Sequence, residues 1–268
     1  MNSQKQKAAE FQSLHQRGAF VIPNPWDAGS ARVMGALGFR ALATTSSGFA
    51  FTLGRFDGMA TLDEVVAHAA AICRVSDLPL SVDLENGYGP SPEDAALAIQ
   101  RVAGAGAVGG SIEDYDLTDG IYPLDRAVER IAAAVQAARA MQFPFTLTAR
   151  AENHIRGNPN LDETIARLQA FAAAGADVVY APGLQTIEEI RAVCSAVAKP
   201  VNVLATPALS FSEIAAAGAR RVSVGGSLAW VAIRAMADAA EAIRDDGNFS
   251  ALSARLPLQD WFQGGSAP

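Results

Sequence analysis

Eight short runs rich in Val, Ile, Leu, Ala and Thr recur along this chain, and a helical pattern separates most of them. They cover residues 20–23, 41–45, 80–85, 110–114, 145–150, 178–181, 201–205 and 222–225. The segments between them carry helix starts. Thr61 with Glu64 and Thr186 with Glu189 read as capping boxes, and Ser91-Pro92 places proline at a first helical position. Helix stops precede the strands at Gly38, Gly104 with Gly106, Gly175 and Gly218. Eight strands alternating with helices over about 250 residues are what a (β/α)8 TIM barrel requires. The competing doubly wound sheet would carry a Gly-x-Gly-x-x-Gly turn after its first strand, where this chain has Pro23-Asn24-Pro25-Trp26. No linker or charge block divides the chain, so residues 1–268 read as a single barrel domain. Residues 1–18 form an N-terminal helix, and 246–268 a C-terminal helical extension whose Trp261 and Phe262 are apolar enough to dock on a neighbour.

Composition narrows the setting. Half of the 268 residues are hydrophobic and mean hydropathy is +0.15, yet no run approaches the roughly 18 apolar residues of a membrane span. The excess is that of buried parallel strands covered by helices. A net charge of −7 offers no footprint for nucleic acid. The polar N-terminus lacks the apolar core of a secretory signal. Cys73 and Cys194 fall in helical patterns without metal or disulfide spacing and read as buried small hydrophobes, so the expected location is cytoplasmic.

Side chains of a strand alternate between its two faces, so polar residues at a period of two share one direction. Ser81, Asp83 and Glu85 oppose Val82 and Leu84. Ser111 and Glu113 oppose Ile112, and Thr146, Thr148 and Arg150 fall together. Asn202 and Ser223 lie opposite valines. The apolar partners must meet the helices, so the polar set lines the barrel interior, with charges at the C-terminal strand ends where barrel active sites form. Crowded carboxylates raise one another's pKa unless a cation compensates. An oxygen-ligated divalent ion fits, Mg²⁺ best because it keeps several waters, with Mn²⁺ the alternative. The simpler reading is one acid bridged to Arg150 and the rest solvated. His15 and His68 read as surface residues, and His154 as a loop residue after Arg150. Thr44–Gly48 supplies small residues whose amides suit an oxyanion, and Gly225-Gly226-Ser227 reads as a tight turn. Neither a nucleophile elbow nor a P-loop is present.

The stretch Ser81-Val-Asp-Leu-Glu-Asn-Gly-Tyr-Gly89 resembles the D-x-D/E-x-G-Y-G signature of the isocitrate lyase/phosphoenolpyruvate mutase superfamily. Ser111-Ile-Glu-Asp114, Thr148-Ala-Arg150, Leu53-Gly-Arg-Phe-Asp57 and the Thr44–Gly48 segment are similar to its other elements, over residues 15–240. The resemblance implies a (β/α)8 barrel that binds Mg²⁺ and a small 2-oxo acid or its enolate. It also implies a homodimer or homotetramer with a swapped C-terminal helix. By position, Asp83 resembles the direct metal ligand, with Asp57, Glu85 and Glu113 holding metal waters. Arg150 resembles the binder of a substrate carboxylate, and the amides around Thr45, Ser46 and Ser47 resemble donors to carboxylate and enolate oxygens. Asn202, inward on its strand, joins the substrate-binding set.

One element departs. Lyases of this family carry a Lys-Lys/Arg-Cys-Gly-His loop after the fourth strand, and the phosphonate enzymes a loop with Lys or Asn. Here Tyr115-Asp-Leu-Thr-Asp-Gly-Ile-Tyr122 stands in that place, without Cys, Lys or His. The implied chemistry is then C–C cleavage of a 2-oxo or 2-hydroxy carboxylate, an oxaloacetate-like lyase or decarboxylase reaction. Arg150, Glu113 and Tyr115 are its expected catalytic residues, and Tyr122 and Asp116 are further acid/base candidates. C–P bond chemistry on phosphonopyruvate or phosphoenolpyruvate, and a non-catalytic 2-oxo-acid-binding barrel, are the alternative readings.

Overall fold

The computed structural model describes residues 2–253 and 256–262; the rest of the C-terminal extension, residues 254–255 and 263–268, lies outside the described residues. Eight parallel strands form the barrel: β1 (Phe20–Ile22), β2 (Leu42–Ala43), β3 (Leu80–Asp83), β4 (Gly109–Glu113), β7 (Thr146–Arg150), β8 (Val178–Tyr180), β9 (Val201–Leu204) and β10 (Arg221–Ser223). Their order is β1-β10-β9-β8-β7-β4-β3-β2. Between the two end strands, the Ala43 amide donates to the Pro23 carbonyl at 3.1 Å. Asn24 fastens the same seam: its Nδ2 donates to the Thr44 carbonyl, and its Oδ1 accepts from the amides of Val224 and Gly225. All eight expected strands are present; six are trimmed within their expected bounds, and the two expected at 110–114 and 222–225 begin one residue earlier and end sooner. A short antiparallel pair, β5 (Tyr115–Asp116) with β6 (Gly120–Ile121), was not expected and stands over the mouth after β4.

Around the sheet run α2 (Ala28–Ala36), α4 (Leu62–Val75), α5 (Pro92–Gly104), α6 (Leu124–Arg139), α7 (Leu161–Ala173), α8 (Ile187–Ala196) and α9 (Phe211–Ala216). The capping boxes at Thr61 and Thr186 form as expected, and Ser91 caps α5 in the same way. Gly38, Gly106, Gly175 and Gly218 take positive φ at the helix-to-strand turns. The helix-facing strand residues Val82, Ile112, Ala149, Val179, Val203 and Val222 belong to one buried apolar cluster, as their alternation requires.

α1 (Gln4–Leu14) closes the opposite, N-terminal end of the barrel. Ala8, Phe11 and Leu14 pack with Phe20, Ile22, Ala41 and Val108 in a separate apolar cluster. The approach is close enough that a Cβ on Gly109 would stand 2.8 Å from the Phe11 ring. His15 caps this helix and is buried, its ring edge-on to Phe11 and Phe20, which corrects the surface placement. His68 is likewise buried, stacked on Phe49 at 4.1 Å with its Nε2 3.0 Å from the Trp26 carbonyl oxygen. Both rings sit on helix faces that only tertiary packing covers. The two cysteines are half-buried, and burial pushes both thiols up to about 11.

α10 (Ser227–Asp246) is different in kind: of its 20 residues only Ala229 is buried, while Trp230, Val231 and Met236 are exposed. Beyond it, α11 (Leu258–Phe262) folds back onto α2 of the same chain, with Phe262 under the Arg32 guanidinium. Among the described residues no helix is long and apolar enough to cross a membrane.

Candidate active site

A cavity of about 750 Å³ opens at the C-terminal end of the strands and runs down into the barrel. Parallel pairing builds its upper wall. The β4–β7 register sets Glu113 beside Arg150, and the β3–β4 register sets Asp83 beside Ser111. The consequence is an arginine surrounded by acids. Arg150 Nη1 donates to Asp83 Oδ1 at 3.1 Å, and Nη2 lies 3.2 Å from Glu113 Oε2. Nε and Nη2 both donate to Glu152 Oε1, at 3.0 and 2.8 Å, and the guanidinium lies over the Tyr180 ring at 5.1 Å. One arginine thus meets three carboxylates, more than the single bridge of the simpler reading.

Asp83 is held from several sides. Its amide donates to Thr44 Oγ1 at 2.8 Å, Ser111 Oγ donates to its Oδ1 at 3.3 Å, and the Ser46 amide donates to its Oδ2 at 3.4 Å. That amide belongs to the first turn of α3 (Ser46–Thr52), a helix that the Thr44–Gly48 segment opens. Thr45 caps it, with its hydroxyl accepting from the Gly48 amide and 3.2 Å from Ser47 Oγ. Thr45, Ser46 and Ser47 therefore line the cavity together. Gly226, in the expected tight turn, passes so close that a Cβ would stand 2.7 Å from Ser47 Oγ.

Glu85 follows β3 in a left-handed turn, with φ of 48° at Glu85 and 64° at Tyr88. Side chains must hold such a turn in non-glycine residues. Asn86 Oδ1 accepts from the Tyr88 amide, Asn86 Nδ2 donates to Asp116 Oδ2 and Tyr122 Oη, and Arg130 donates to the Asn86 carbonyl. Burial, and then the charges of Asp83 and Asp57, push the Glu85 carboxyl up to about 8. Burial holds Glu113 well above the usual range as well; Arg150 opposes this, while Glu152, Asp83 and Glu85 add to it. Asp57 lies exposed at the cavity rim.

The remaining expected residues divide. Tyr115 and Asp116 line the cavity, with the Tyr115 ring 4.0 Å from the Arg156 guanidinium carbon. The amide of Thr118 leads the contacts that hold Asp116 below the usual carboxylate range. Tyr122 is buried outside the cavity, its hydroxyl taken up by Asn86. Asn202 lies deep in the barrel, accepting from Arg221 Nε and donating to Ser223 Oγ. His154 is placed near the rim, its Nε2 3.9 Å from Glu189. Three further residues complete the wall without having been singled out: Glu152, Tyr180 and Arg221. Arg221 shares the period of Ser223, so its inward direction was readable; Glu152 and Tyr180 sit at or past strand ends, where alternation gives no guide.

The donor set suits a hard cation. Asp57, Asp83, Glu85 and Glu113 offer only oxygen, and with Glu152 they outnumber Arg150. Among the described residues, no three acidic, histidine or cysteine side chains converge tightly enough to chelate an ion by themselves. An ion that keeps most of its waters and takes few direct carboxylates, as Mg²⁺ does, matches that arrangement.

Comparison with known proteins agrees with the fold. Residues 11–244 match the family model described as phosphoenolpyruvate phosphomutase. A solved structure from Burkholderia cenocepacia J2315, assigned only provisionally to the lyases or mutases, is 50% identical. It superposes with a TM-score of 0.95 over 99% of both chains. The oxaloacetate decarboxylase of Paraburkholderia xenovorans is 32% identical over 92% of this chain and 84% of its own. The solved 2,3-dimethylmalate lyase is 29% identical, with a TM-score of 0.86 over 98% of this chain and 95% of that one. The chain belongs to the phosphoenolpyruvate mutase/isocitrate lyase superfamily, among relatives that are carbon–carbon lyases.

Proposed function

We propose that this protein is a divalent-metal-dependent lyase that breaks the C–C bond between the carbons α and β to the carbonyl of a 2-oxo carboxylate, or the bond from the carbinol carbon to its neighbour in a 2-hydroxy carboxylate. The observation that carries the reading is the mouth of the barrel, where one arginine is shared by Asp83, Glu113 and Glu152 while Glu85 and Asp57 stand beside them. In this reading Asp83 is the direct ligand, with Asp57, Glu85 and Glu113 holding metal-bound water. When bound, Mg²⁺ or Mn²⁺ supplies Lewis-acid stabilisation of the charge that builds on the substrate oxygen as the bond breaks.

The chain's own groups do the rest. Arg150, within reach of Asp83 and Glu113, binds the substrate carboxylate when an ion gives those acids another cation to face. Glu152 and the Tyr180 ring keep its guanidinium oriented. Amides at Ser46 and its neighbours donate to substrate oxygens. In a 2-oxo substrate the electron pair of the broken bond stays on the 2-oxo fragment as an enolate, and CO₂ or a carbonyl compound leaves. In a 2-hydroxy substrate the hydroxyl gives its proton to solvent and the carbinol fragment leaves as the 2-oxo acid. The pair then stays on the other fragment, taken up by its carboxylate. The Tyr115 hydroxyl then donates a proton to the carbanionic carbon and is reprotonated by water. Asp116 is a poor donor, because its contacts keep it ionised. The exposed apolar residues of α10 suit exchange of that helix with a second copy in a homodimer or homotetramer.

The test is pyruvate formation from oxaloacetate, 2,3-dimethylmalate and 2-methylisocitrate with Mg²⁺, beside phosphate release from phosphonopyruvate. Turnover of a C–C substrate that stops with chelator is expected. Phosphate release alone would assign C–P chemistry instead, and no turnover with metal bound would leave a binding barrel.

A further inference from the structure

The floor of this cavity holds a positive charge that no acid among the described residues balances. Arg221 opens β10 and points into the barrel, on the same face as Ser223. It is 5% exposed. Its Nε donates to Asn202 Oδ1 at 2.8 Å and its Nη2 to Thr148 Oγ1 at 3.0 Å, while the buried Nη1 has no hydrogen-bond partner among the described residues. The groups acting on it are neutral: Asn202, Thr148, the Tyr180 phenol, and His15 from α1. Burial and the charge of Arg221 push His15 down to about 3, so its ring brings no charge of its own. The other two arginines lining the cavity, Arg150 and Arg156, are both paired with Glu152. A guanidinium stays protonated near neutral pH even when buried, so an uncompensated one favours an anion within reach.

The place of this charge fits a substrate group. Arg221 is bonded to Thr148, which lies two residues before Arg150 on β7 and on the same face. Two residues along a strand are roughly 7 Å. The cavity thus has an arginine near its mouth and another at about that depth below it. A four- or five-carbon dicarboxylate places its carboxyl carbons about 4–5 Å apart, which suits a ligand reaching from one cation toward the other.

We propose that Arg221 anchors a second carboxylate of the substrate, so that the site takes 2-oxo or 2-hydroxy dicarboxylates in preference to monocarboxylates. The orientation, with the reacting end at the mouth, rests on the function proposed above. A chemical consequence follows. A carboxylate held by an arginine loses that partner if it departs as neutral CO₂, so the anchored carboxylate is the one that survives the reaction. Decarboxylation at the floor is disfavoured, and the bond that breaks lies on the mouth side of the anchored carboxylate. In a 4-hydroxy-2-oxo substrate its electrons pass to the mouth fragment as an enolate while the anchored fragment leaves as an aldehyde or ketone. In a 2-hydroxy substrate they pass to the anchored fragment while the mouth fragment loses its hydroxyl proton and leaves as the 2-oxo acid.

Calorimetric binding of 2-oxoglutarate and of 2-oxobutyrate, each with Mg²⁺ present, tests the anchor without requiring turnover. The unmodified protein is expected to prefer the dicarboxylate by roughly 30-fold or more, as for a buried charge pair. Arg221→Gln should erase that preference with 2-oxobutyrate affinity unchanged, and Arg221→Lys should restore part of it. An equal loss for both ligands would assign Arg221 a structural role and overturn the proposal. So would a preference that persists in Arg221→Gln. If Arg221→Gln does not fold, the preference of the unmodified protein decides, and its absence overturns the anchor. A dicarboxylate preference with no turnover of any C–C substrate would leave the anchor standing and remove the lyase reading.

Discussion

The two ends of the cavity carry opposite imbalances. At the mouth, Asp57, Asp83, Glu85, Glu113 and Glu152 crowd around Arg150; at the floor, Arg221 has only neutral partners. Just behind the wall lies a balanced counterpart. Asp114 is buried with Arg167, whose Nη1 donates to Asp114 Oδ2 at 3.0 Å, while Asp114 Oδ1 accepts from the Glu152 amide at 2.7 Å. The contrast teaches that imbalance here is local. The same barrel neutralises a charge whose task is to hold a loop, and leaves charges uncompensated where something else must bind.

Substitutions should separate these regions. The largest effect is expected from Asp83→Ala, which should lower Mg²⁺ affinity by about 100-fold or more, beyond what loss of a supporting contact costs. The melting temperature of the ion-free protein should stay level or rise, because a repelling carboxylate is gone; calorimetry and thermal melts check both. Asp114→Ala should do the reverse. It takes from Arg167 its buried carboxylate and leaves it only the more exposed Glu163, at about 1–3 kcal/mol of stability, which lowers the melting temperature by about 5 °C in a chain of this size.

A smaller pair of effects concerns pH, at most about 1.4 kcal/mol per pH unit for each proton. Glu85 is raised from 4.5 to about 8, so the stability it contributes is complete below pH 4.5 and is lost as pH rises toward 8. Glu85→Gln should flatten that alkaline slope in ion-free protein. His15 is lowered from 6.5 to about 3, so its contribution is complete above pH 6.5 and is lost as pH falls toward 3. His15→Gln should flatten the acid slope and leave the alkaline one alone. Denaturant titrations between pH 4 and pH 9 would read both; a single slope shared by the two variants would break the distinction between mouth and floor.

Much of the barrel is legible in the sequence because burial on both sides of a parallel strand enforces alternation. Val82 and Ile112 meet the helices, so Asp83 and Glu113 must face inward. What alternation cannot supply is register. That Glu113 lies beside Arg150, and that Glu152 takes the same guanidinium, depends on how neighbouring strands slide and where β7 ends. The buried states of His15 and His68 were hidden for a related reason. Their polar rings lie on helices, and the cover comes from Phe20 and Phe49 elsewhere in the chain. The direction of Arg221 is visible from Ser223 two residues on, but its want of an acid depends on what β7, β9 and α1 bring to it. The resemblance marked the mouth residue by residue, and carried no statement about the floor.

The central claim is that the mouth is built for a divalent cation, and Mg²⁺ titrated at pH 7 in buffers of different ionisation enthalpy tests it directly. The expected result is one ion per chain with release of a proton from Glu85, which is mostly protonated at that pH, and loss of both signals in Asp83→Ala. Absence of binding, or binding that survives Asp83→Ala without proton release, would contradict it.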